Sequence, residues 1–234
     1  MSVYRELAAH AGDSYLRYSF TKGTEQEVDF LLDALKLEPG MRVLDVGCGP
    51  GRHARALASR GLEVAGVDLA FDFLDAARQA GGAHFAQGDV RDLPVRPGIF
   101  DAAVCLCQGG FGLLGGGDEE GDALVQMAAA VRPGGRLAVT AFSSWYAVKW
   151  LGEEETFDAE GAVLHETARV RGRAGGEEAD FALAHTCFTP RELLLMARAA
   201  GLAVEGIWSV EPGAYARRAP EVDRPEWLMV AVVT

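Results

Sequence analysis

The chain is poor in basic residues and contains no long apolar run. Lysine and arginine number 22 against 34 acidic residues, so the formal net charge is −12. Proteins that bind nucleic acids or anionic membranes use Lys and Arg to neutralise phosphates, so this balance argues against both kinds of partner. No run of about 20 apolar residues is present, and we therefore predict that no segment spans a membrane.

Cysteine is also scarce, and its placement argues against two kinds of structure. The cysteines, Cys48, Cys105, Cys107 and Cys187, are too few for the disulfide framework of a small secreted protein. Cys105 and Cys107 end an apolar run instead of forming a zinc-binding turn, so we predict free thiols and no metal site. The N-terminus lacks the basic and apolar stretches of a signal peptide, so we expect a cytoplasmic protein.

Hydrophobic residues make up 49% of the 234 positions, which suffices for the core of a single domain over residues 1–234. Short β-rich runs alternate with segments whose apolar residues recur at helical spacing. This alternation predicts an α/β protein with a mostly parallel sheet and helices on both faces. The predicted strands cover residues 42–47, 63–69, 83–89, 100–106, 136–142, 202–210 and 227–234. The predicted helices cover residues 52–60, 71–80, 118–131 and 190–200, with Thr189 as the cap of the last.

Two regions fall outside this alternation. Residues 1–40 precede the first strand, and their amphipathic pattern over 24–37 predicts a helix with Thr24 as its cap. Residues 143–188 contain β-rich runs on either side of the glycine-containing loop 173–176. This spacing predicts a small antiparallel hairpin inserted after the fifth strand.

A glycine-rich turn follows the first predicted strand. Residues 47–51 read Gly-Cys-Gly-Pro-Gly and lie between a buried run and a predicted helix. Glycines at such a turn let the backbone approach a ligand closely. Dinucleotide-binding turns need the spacing G-x-G-x-x-G, and Arg52 occupies the position of the third glycine. The spacing therefore argues against NAD or FAD, and so against a nicotinamide-dependent oxidoreductase.

Asp45 stands on the predicted strand just before this turn. A carboxylate at this place would repel a pyrophosphate and attract a ligand that carries an ammonium group. The methionine part of S-adenosylmethionine is such a ligand, and its sulfonium is positive as well. Asp45 would also be able to order the turn by accepting hydrogen bonds from backbone N–H groups, and the two roles are compatible.

The segment 43–51 resembles the first motif of the class I S-adenosylmethionine-dependent methyltransferases. Segments 66–69, 87–90, 100–104 and 131–137 are similar to later motifs of that family and follow in its order. The resemblance implies a Rossmann-like, doubly wound sheet of the seven predicted strands, mostly parallel with an antiparallel last strand, plus the hairpin insertion. It also implies S-adenosylmethionine as cofactor, S-adenosylhomocysteine as product and methyl transfer as the activity.

The resemblance also implies roles for individual residues. Asp68 would accept hydrogen bonds from both ribose hydroxyls, Asp89 would contact the adenine amine, and the backbone N–H of Val90 would contact the ring. Leu106 and Cys107 would lie beside the sulfonium. The alternatives are a helix cap for Asp68 and a turn residue for Asp89. The full set of cofactor-binding candidates is Tyr15, Thr24, Asp45, Gly47, Cys48, Gly49, Gly51, Arg52, Asp68, Leu69, Asp89, Val90, Leu106 and Cys107.

The methyl acceptor has no motif of its own in this sequence. Methyl transfer is an in-line displacement, so alignment of the acceptor supplies much of the acceleration and a general base is optional. The acceptor-site candidates are Gln108, Tyr146, His165 and His185, each of which also suits a packing or surface role. No Asn/Asp-Pro-Pro-Tyr motif follows the fourth strand, which argues against methylation of exocyclic or amide nitrogens.

The two regions outside the alternation are expected to cover the active site, with residues 1–40 as a helical lid that excludes water. We expect a small-molecule acceptor, and the sequence leaves its attacking atom and the oligomeric state open. The alternative function is a non-catalytic module that binds S-adenosylmethionine in a regulatory or assembly role. Such a module would keep the cofactor pocket and close the space beneath the 143–188 insertion.

Overall fold

A computed structural model describes residues 3–107, 109–115 and 119–234. The predicted acceptor-site residue Gln108 lies outside the described residues. The helices are α1 (Val3–Ala11), α2 (Thr24–Ala34), α3 (Arg52–Ala58), α4 (Phe71–Ala80), α5 (Glu119–Ala130), α6 (Ser144–Lys149) and α7 (Pro190–Ala199). The strands are β1 (Arg42–Val46), β2 (Glu63–Asp68), β3 (His84–Gln87), β4 (Phe100–Cys105), β5 (Val131–Ser143), β6 (Thr156–Asp158), β7 (Val163–Arg171), β8 (Glu178–Phe188), β9 (Leu202–Val210) and β10 (Glu226–Val233). Within these ranges, no helix is long and apolar enough to cross a bilayer.

Seven of the described strands form the main sheet, in the order β3-β2-β1-β4-β5-β10-β9. The first five run parallel to their neighbours, whereas β10 is antiparallel to both β5 and β9. The predicted Rossmann-like sheet, mostly parallel with an antiparallel last strand, is therefore confirmed. The parallel strands end at one edge, which is where open α/β sheets bind their ligands.

Strand β10 shows why helices cover both faces of this sheet. Successive side chains of a strand point to opposite faces, and here both faces are apolar. Trp227 and Met229 pack in one buried layer with Leu124 of α5 and Leu193 of α7. Leu228 packs in a second layer with residues of α2 and α3. The sheet is thus buried on both sides, as a doubly wound fold requires.

Strand β5 begins earlier than the sequence pattern predicts. Val131 already pairs with Phe100 of β4, and Arg136 pairs with Ala102 two residues further along β4. The residues between Val131 and Arg136, which the sequence pattern leaves between a predicted helix and a predicted strand, form a bulge in which Gly134 has a φ of 78°. A bulge keeps both flanking segments in the ladder while the extra residues remain unpaired.

The predicted hairpin is present as β7 and β8, which pair over the whole of β7 and over residues 178–186 of β8. The three residues of β6 add a third antiparallel strand beside β7, which the sequence pattern did not predict because the strand is so short. At its far end β8 pairs in parallel with the last residues of β5, through Phe142 with Cys187 and Ser143 with Phe188. Because these pairs lie beyond the end of β4, the small sheet stands over the carboxyl edge of the main sheet.

Helix α1 fills the space between the small sheet and α4. Leu7 and Ala11 of α1 pack in one cluster with Phe73 of α4, Val170 of β7 and Leu183 of β8. The phenol of Tyr4 donates a hydrogen bond to the carbonyl of Ala184 on β8, at 3.2 Å. The N-terminal helix and the small sheet therefore close over the same edge together.

The predicted helix caps have opposite outcomes. Thr189 caps α7 as predicted, since its hydroxyl accepts from Glu192 N and the Glu192 side chain accepts from Thr189 N, which completes a capping box. The cap assigned to Thr24 is wrong, because Gly23 occupies the cap position and Thr24 is the first helical residue. The Thr24 hydroxyl donates instead to the carbonyl of Thr21, at 3.0 Å.

Candidate active site

A cavity of about 920 Å³ opens at the carboxyl edge of the main sheet, beneath α1, β7 and β8. This volume lies near the upper end of the ~300–1,000 Å³ range of small-molecule sites. Most of the predicted site residues line it: Tyr15, Gly47, Cys48, Gly49, Arg52, Asp68, Leu69, Asp89, Val90, Leu106, Cys107, Tyr146 and His185. Four predicted residues do not line it: Thr24, Asp45, Gly51 and His165. The structure thus brings residues from the ends of four strands (β1 to β4), from the N-terminal segment, from α6 and from the small sheet to a single space.

The glycine-rich turn forms one wall of this cavity. Gly47, Gly49 and Gly51 have φ values of 66°, 51° and 77°, a left-handed region that other residues rarely adopt. A Cβ on Gly47 would lie 1.1 Å from the carbonyl oxygen of Gly109, because the segment after β4 crosses the turn there. The turn is therefore built from glycine for two reasons, its backbone conformation and the close approach of a second segment.

Asp68 at the end of β2 connects the turn to the next helix. Its Oδ2 accepts a hydrogen bond from Gly49 N at 2.7 Å, and its Oδ1 accepts one from Ala70 N at 2.8 Å. The helix-cap alternative for Asp68 is wrong, because Ala70 occupies the cap position of α4 and no side chain caps that position. Asp68 instead orders the turn that precedes the helix. Each carboxylate oxygen has two lone pairs, so the carboxylate can still accept bonds from two ligand hydroxyls. Burial raises the pKa of Asp68, and the backbone donors partly oppose that shift.

Asp89 is engaged by a neighbouring side chain. Arg91 donates to its carboxylate through Nε at 2.9 Å and Nη2 at 2.6 Å, and Arg91 N also bonds to it at 2.9 Å. This is the turn role that the sequence leaves open for Asp89, and the guanidinium lowers the pKa of the carboxyl. The ion pair between Arg91 and Asp89 is exposed, so it contributes at most about 1 kcal/mol. Because this contribution is small, an adenine amine would be able to take the place of Arg91 at the Asp89 carboxylate.

Asp45 lies behind the glycine turn and is 2% exposed. The Ala54 backbone N–H hydrogen-bonds to its carboxylate, whereas Oδ2 has no hydrogen-bond partner among the described residues. The hydrogen bond from Ala54 fits the turn-ordering role of Asp45. The Asp45 side chain does not line the cavity, so it would act on a ligand there only through its charge. Burial raises the pKa of Asp45 to about 7, with Arg52 opposing the shift and Asp68 adding to it.

The titration of Asp45 should be visible in the stability of the ligand-free protein. Its folded pKa lies above the unfolded value, so the carboxylate form costs stability, and this cost appears as the pH rises through ~4 towards 7. We expect Asp45→Asn to remove the cost, so that the variant gains roughly 2–4 kcal/mol relative to the wild type between pH 4 and pH 8. Urea unfolding of both proteins across this range measures the difference, and a pH-independent difference would contradict the assignment.

A buried ionic cluster beneath the turn was not predicted from the sequence. Glu27 on α2 is 0% exposed, and its Oε2 accepts from Arg52 Nη1 at 2.7 Å and lies 2.6 Å from His53 Nε2. Its Oε1 accepts from Gly213 N at 2.8 Å. The signal was available, because Glu27 stands four residues before Leu31 on the apolar face of the predicted helix. An acid in an apolar stripe points to a buried partner.

Arg52 extends this cluster to the cavity. Its Nη2 donates to Cys107 Sγ at 2.7 Å, and its Nη1 also donates to Thr24 Oγ1 at 2.7 Å. Cys107 lies two residues after the end of β4 and has a φ of 49°, an uncommon value for a residue with a side chain. Ligand atoms of Glu27, His53 and Cys107 lie within 4.8 Å of one another. The Arg52 guanidinium already supplies the positive charge there, which disfavours a metal cation.

The far end of the cavity lies under the small sheet. We call it the acceptor chamber, and it is lined by Phe142, Tyr146, Trp150, Leu164, Glu166, Leu183 and His185. His185 stacks on Phe142 with ring centroids 4.5 Å apart, and burial lowers its pKa to about 4. His165 lies on the exposed face of β7, because neighbouring residues of a strand alternate and Glu166 takes the inner face. The structure therefore brings His185 and Tyr146 to the chamber and leaves His165 outside it.

Aromatic residues of the N-terminal segment line the end of the cavity near the glycine turn. Tyr15 and Tyr18 line the cavity, and the Tyr15 ring packs 4.8 Å from the ring of Phe73 on α4. Burial raises the pKa of Tyr15 to about 12, so its phenol stays protonated. The segment before α2 therefore lies close to the turn and to Asp68.

The residues present fit S-adenosylmethionine. Turn glycines with an open cavity face suit close approach of the methionine part, and Asp68 offers acceptors for ribose hydroxyls. When it is ionised, Asp45 adds a negative charge behind the glycine turn, which would suit the ammonium group of the methionine part. The absence of the dinucleotide glycine spacing agrees with this donor set.

Comparison with known proteins gives the same family. Residues 43–135 match the methyltransferase domain family. The malonyl-[acyl-carrier protein] O-methyltransferase of Pseudescherichia vulneris is 31% identical over 189 residues, which cover 74% of this chain and 71% of that protein. The demethylmenaquinone methyltransferase of Renibacterium salmoninarum is 32% identical over 145 residues, which cover 59% of each.

Solved structures agree on the fold. The CcbJ methyltransferase from Streptomyces caelestis has a TM-score of 0.80 at 22% identity and covers 97% of this chain and 98% of its own. The S-adenosylmethionine-bound amino pentose methyltransferase CalS10 from Micromonospora echinaspora has a TM-score of 0.66 at 26% identity, with coverage of 95% and 96%. The strand order, the glycine turn and these relatives lead to one conclusion: the chain belongs to the class I S-adenosylmethionine-dependent methyltransferase family and is an enzyme that uses this cofactor.

Proposed function

We propose that this methyltransferase acts on a small-molecule acceptor held in the acceptor chamber. The observation that carries the proposal is the continuity of the cavity from Asp68 and the glycine turn, past Cys107, to His185. Its roughly 920 Å³ must hold the cofactor and the acceptor together. Sites of this size enclose most of a drug-sized ligand, which suits a compact acceptor better than a polymer.

In this proposal, different residues lining the cavity bind different parts of the cofactor. Asp68 binds the ribose hydroxyls, the Val90 backbone N–H binds adenine, and the glycine turn accommodates the methionine part. When bound, S-adenosylmethionine supplies a methyl group on a sulfonium, which an acceptor lone pair displaces in line. Leu106 and Cys107, which follow the end of β4 and line the cavity, lie beside the sulfonium in this proposal and define the line of approach. Orientation of this kind is worth up to about 7–11 kcal/mol in well-aligned systems.

Residues 1–40 and 143–188 act in this proposal as a cover that keeps water from the reacting groups. Tyr4 supports this role, because its hydrogen bond to Ala184 ties the N-terminal helix to the small sheet. The non-catalytic alternative would leave the space beneath the insertion closed. That space is open here and is walled by side chains of both segments, which favours turnover.

Two measurements test the proposal. Calorimetric titration should show binding of S-adenosylmethionine and S-adenosylhomocysteine and no binding of NADH. If neither adenosyl ligand binds, the proposal is overturned. Leu164→Trp should then fill the acceptor chamber, leave the Kd for S-adenosylmethionine within about twofold and reduce methyl transfer at least about tenfold, through the loss of alignment. The matched control is Leu195→Trp, since Leu195 is 50% exposed on α7.

A further inference from the structure

The acceptor chamber has an excess of negative charge. Besides the acids at the cofactor end, the cavity is lined by Glu155, Glu166 and Glu226. Glu226 begins β10 and lies beside Phe142 of β5 in the register of the sheet, so it borders the chamber. Glu155 is close enough to Glu166 for its charge to raise the pKa of that residue. The like charges of these side chains would repel an anionic acceptor.

The arginines that line the same cavity are engaged elsewhere. Arg52 pairs with Glu27 at 2.7 Å, Arg91 with Asp89 at 2.6 Å and Arg169 with Asp180 at 2.8 Å. Arg5 is close enough to Asp89 for its charge to lower the pKa of that carboxyl, which places it at the adenine end. Among the described residues, Glu166 therefore has no Lys or Arg within ion-pair distance.

Glu166 is held in a position that a cation would stabilise. Its side chain is 31% exposed on the inner face of β7, and Oε1 lies 3.6 Å from His185 Nδ1. Burial raises the pKa of Glu166, and the charge of Glu155 raises it further. A partly buried carboxylate next to a second carboxylate is undercompensated, and an opposite charge within about 4–6 Å relieves this.

His185 provides a second and independent indication of a ligand. Its side chain is only 10% exposed, lines the chamber and is fixed in plane by stacking on Phe142. None of the described residues forms a hydrogen bond with its ring. The ring is neutral at physiological pH, so it carries one donor and one acceptor nitrogen. Glu166 favours the proton on Nδ1, which leaves the Nε2 lone pair to accept from a ligand.

The remaining walls suit an apolar body with a positive end. Tyr4, Phe142, Tyr146 and Trp150 present aromatic rings to the cavity. Aromatic faces attract ammonium groups, most strongly where water is excluded from the contact. Leu164 and Leu183 add aliphatic surface between the rings. The charge, the hydrogen-bonding groups and the apolar surface of the chamber thus all suit an apolar acceptor with a positive end.

Building on the proposed function, we propose that the acceptor is a small apolar compound with an aliphatic amine, and that Glu166 and His185 hold its nitrogen for methylation. The ammonium first gives one proton to Glu166. The freed lone pair forms the C–N bond while the electrons of the breaking C–S bond stay on sulfur, which yields the N-methylammonium product and S-adenosylhomocysteine. The proton on Glu166 then leaves to solvent. An aliphatic amine has a basic lone pair of its own, so it does not need the motif that amide nitrogens require.

The test uses matched acceptors that share one apolar body: 2-phenylethylamine, 2-phenylethanol and phenylacetate. Their binding to the full-length enzyme loaded with S-adenosylhomocysteine is measured by calorimetry, and their turnover by formation of S-adenosylhomocysteine from S-adenosylmethionine. The proposal expects the amine to be preferred at least about tenfold, in Kd or in kcat/KM, over both other compounds. Equal or reversed preference, or no detectable binding or turnover of the amine, overturns it.

Two variants test whether the preference for the amine arises from the acceptor chamber. Glu166→Gln should reduce the amine preference at least about tenfold, roughly the loss of one charged hydrogen bond. Glu177→Gln is the control, because Glu177 lies exposed in the loop between β7 and β8. Both variants should bind S-adenosylmethionine like the wild type. An unchanged preference in Glu166→Gln overturns the inference alone, whereas failure of the wild type to bind either adenosyl ligand overturns the proposed function.

Discussion

Replacing Glu27 by alanine is expected to lower the free energy of unfolding by about 3–5 kcal/mol, because removing one member of a buried ion pair leaves the other charge uncompensated. Glu27 is fully buried and contacts Arg52, His53 and Gly213. Its loss would leave the Arg52 guanidinium and the Gly213 N–H without their acceptor. Urea denaturation of the ligand-free enzyme at pH 7 measures the change.

Glu25→Ala is the matched control on the same helix. The Glu25 side chain is 77% exposed and pairs with Arg60 at 2.9 Å, so we expect a loss below about 1 kcal/mol. The double variant Glu27→Leu with Arg52→Met should be more stable than Glu27→Ala, because no buried charge remains unpaired. Equal losses for Glu25→Ala and Glu27→Ala would show that the cluster contributes nothing beyond a surface pair.

The second large effect concerns cofactor binding. Asp68→Ala is expected to raise the Kd for S-adenosylmethionine at least about tenfold, roughly the cost of one lost charged hydrogen-bond pair. Asp68 also accepts from Gly49 N and Ala70 N, so the same change should lower the melting temperature. Asp68→Asn separates the two effects, because its amide oxygen keeps one acceptor for the backbone while the charge is lost.

Asp75→Ala serves as the control for Asp68. Asp75 is exposed on α4 and accepts a single hydrogen bond from Gln79, at 2.8 Å, so cofactor affinity should not change. Calorimetric titration with S-adenosylmethionine and S-adenosylhomocysteine gives the Kd values. An Asp68→Asn variant that keeps the wild-type Kd would place the ribose elsewhere in the cavity.

Much of the fold was predictable because its signals are local. The alternation of strands and helices, the glycine turn after β1 and the Thr189 capping box each lie within a few consecutive residues. Backbone conformation and helix capping respond to such short patterns. The family resemblance rests on the same short segments, and the shape of the main sheet agrees with it.

Other features depend on contacts between distant segments. Thr24 looks like a cap in the sequence, yet its hydroxyl is bound by Arg52, 28 positions later, and by the carbonyl of Thr21. The sequence does not show which residues Glu27 pairs with, because its partners lie on α3 and at Gly213, far along the chain. No local pattern states which partner a polar side chain will meet, because that depends on tertiary packing.

The sequence by itself therefore determined the order of elements, the parallel sheet and the glycine turn that lines one end of the cavity, since contiguous motifs encode them. Only the tertiary structure decided the acceptor end. The register of β7 turns Glu166 inward and His165 outward, and the pairing of β8 with β5 brings His185 onto Phe142. A one-residue shift in a strand exchanges its two faces, and the acceptor chamber depends on that choice at several strands at once.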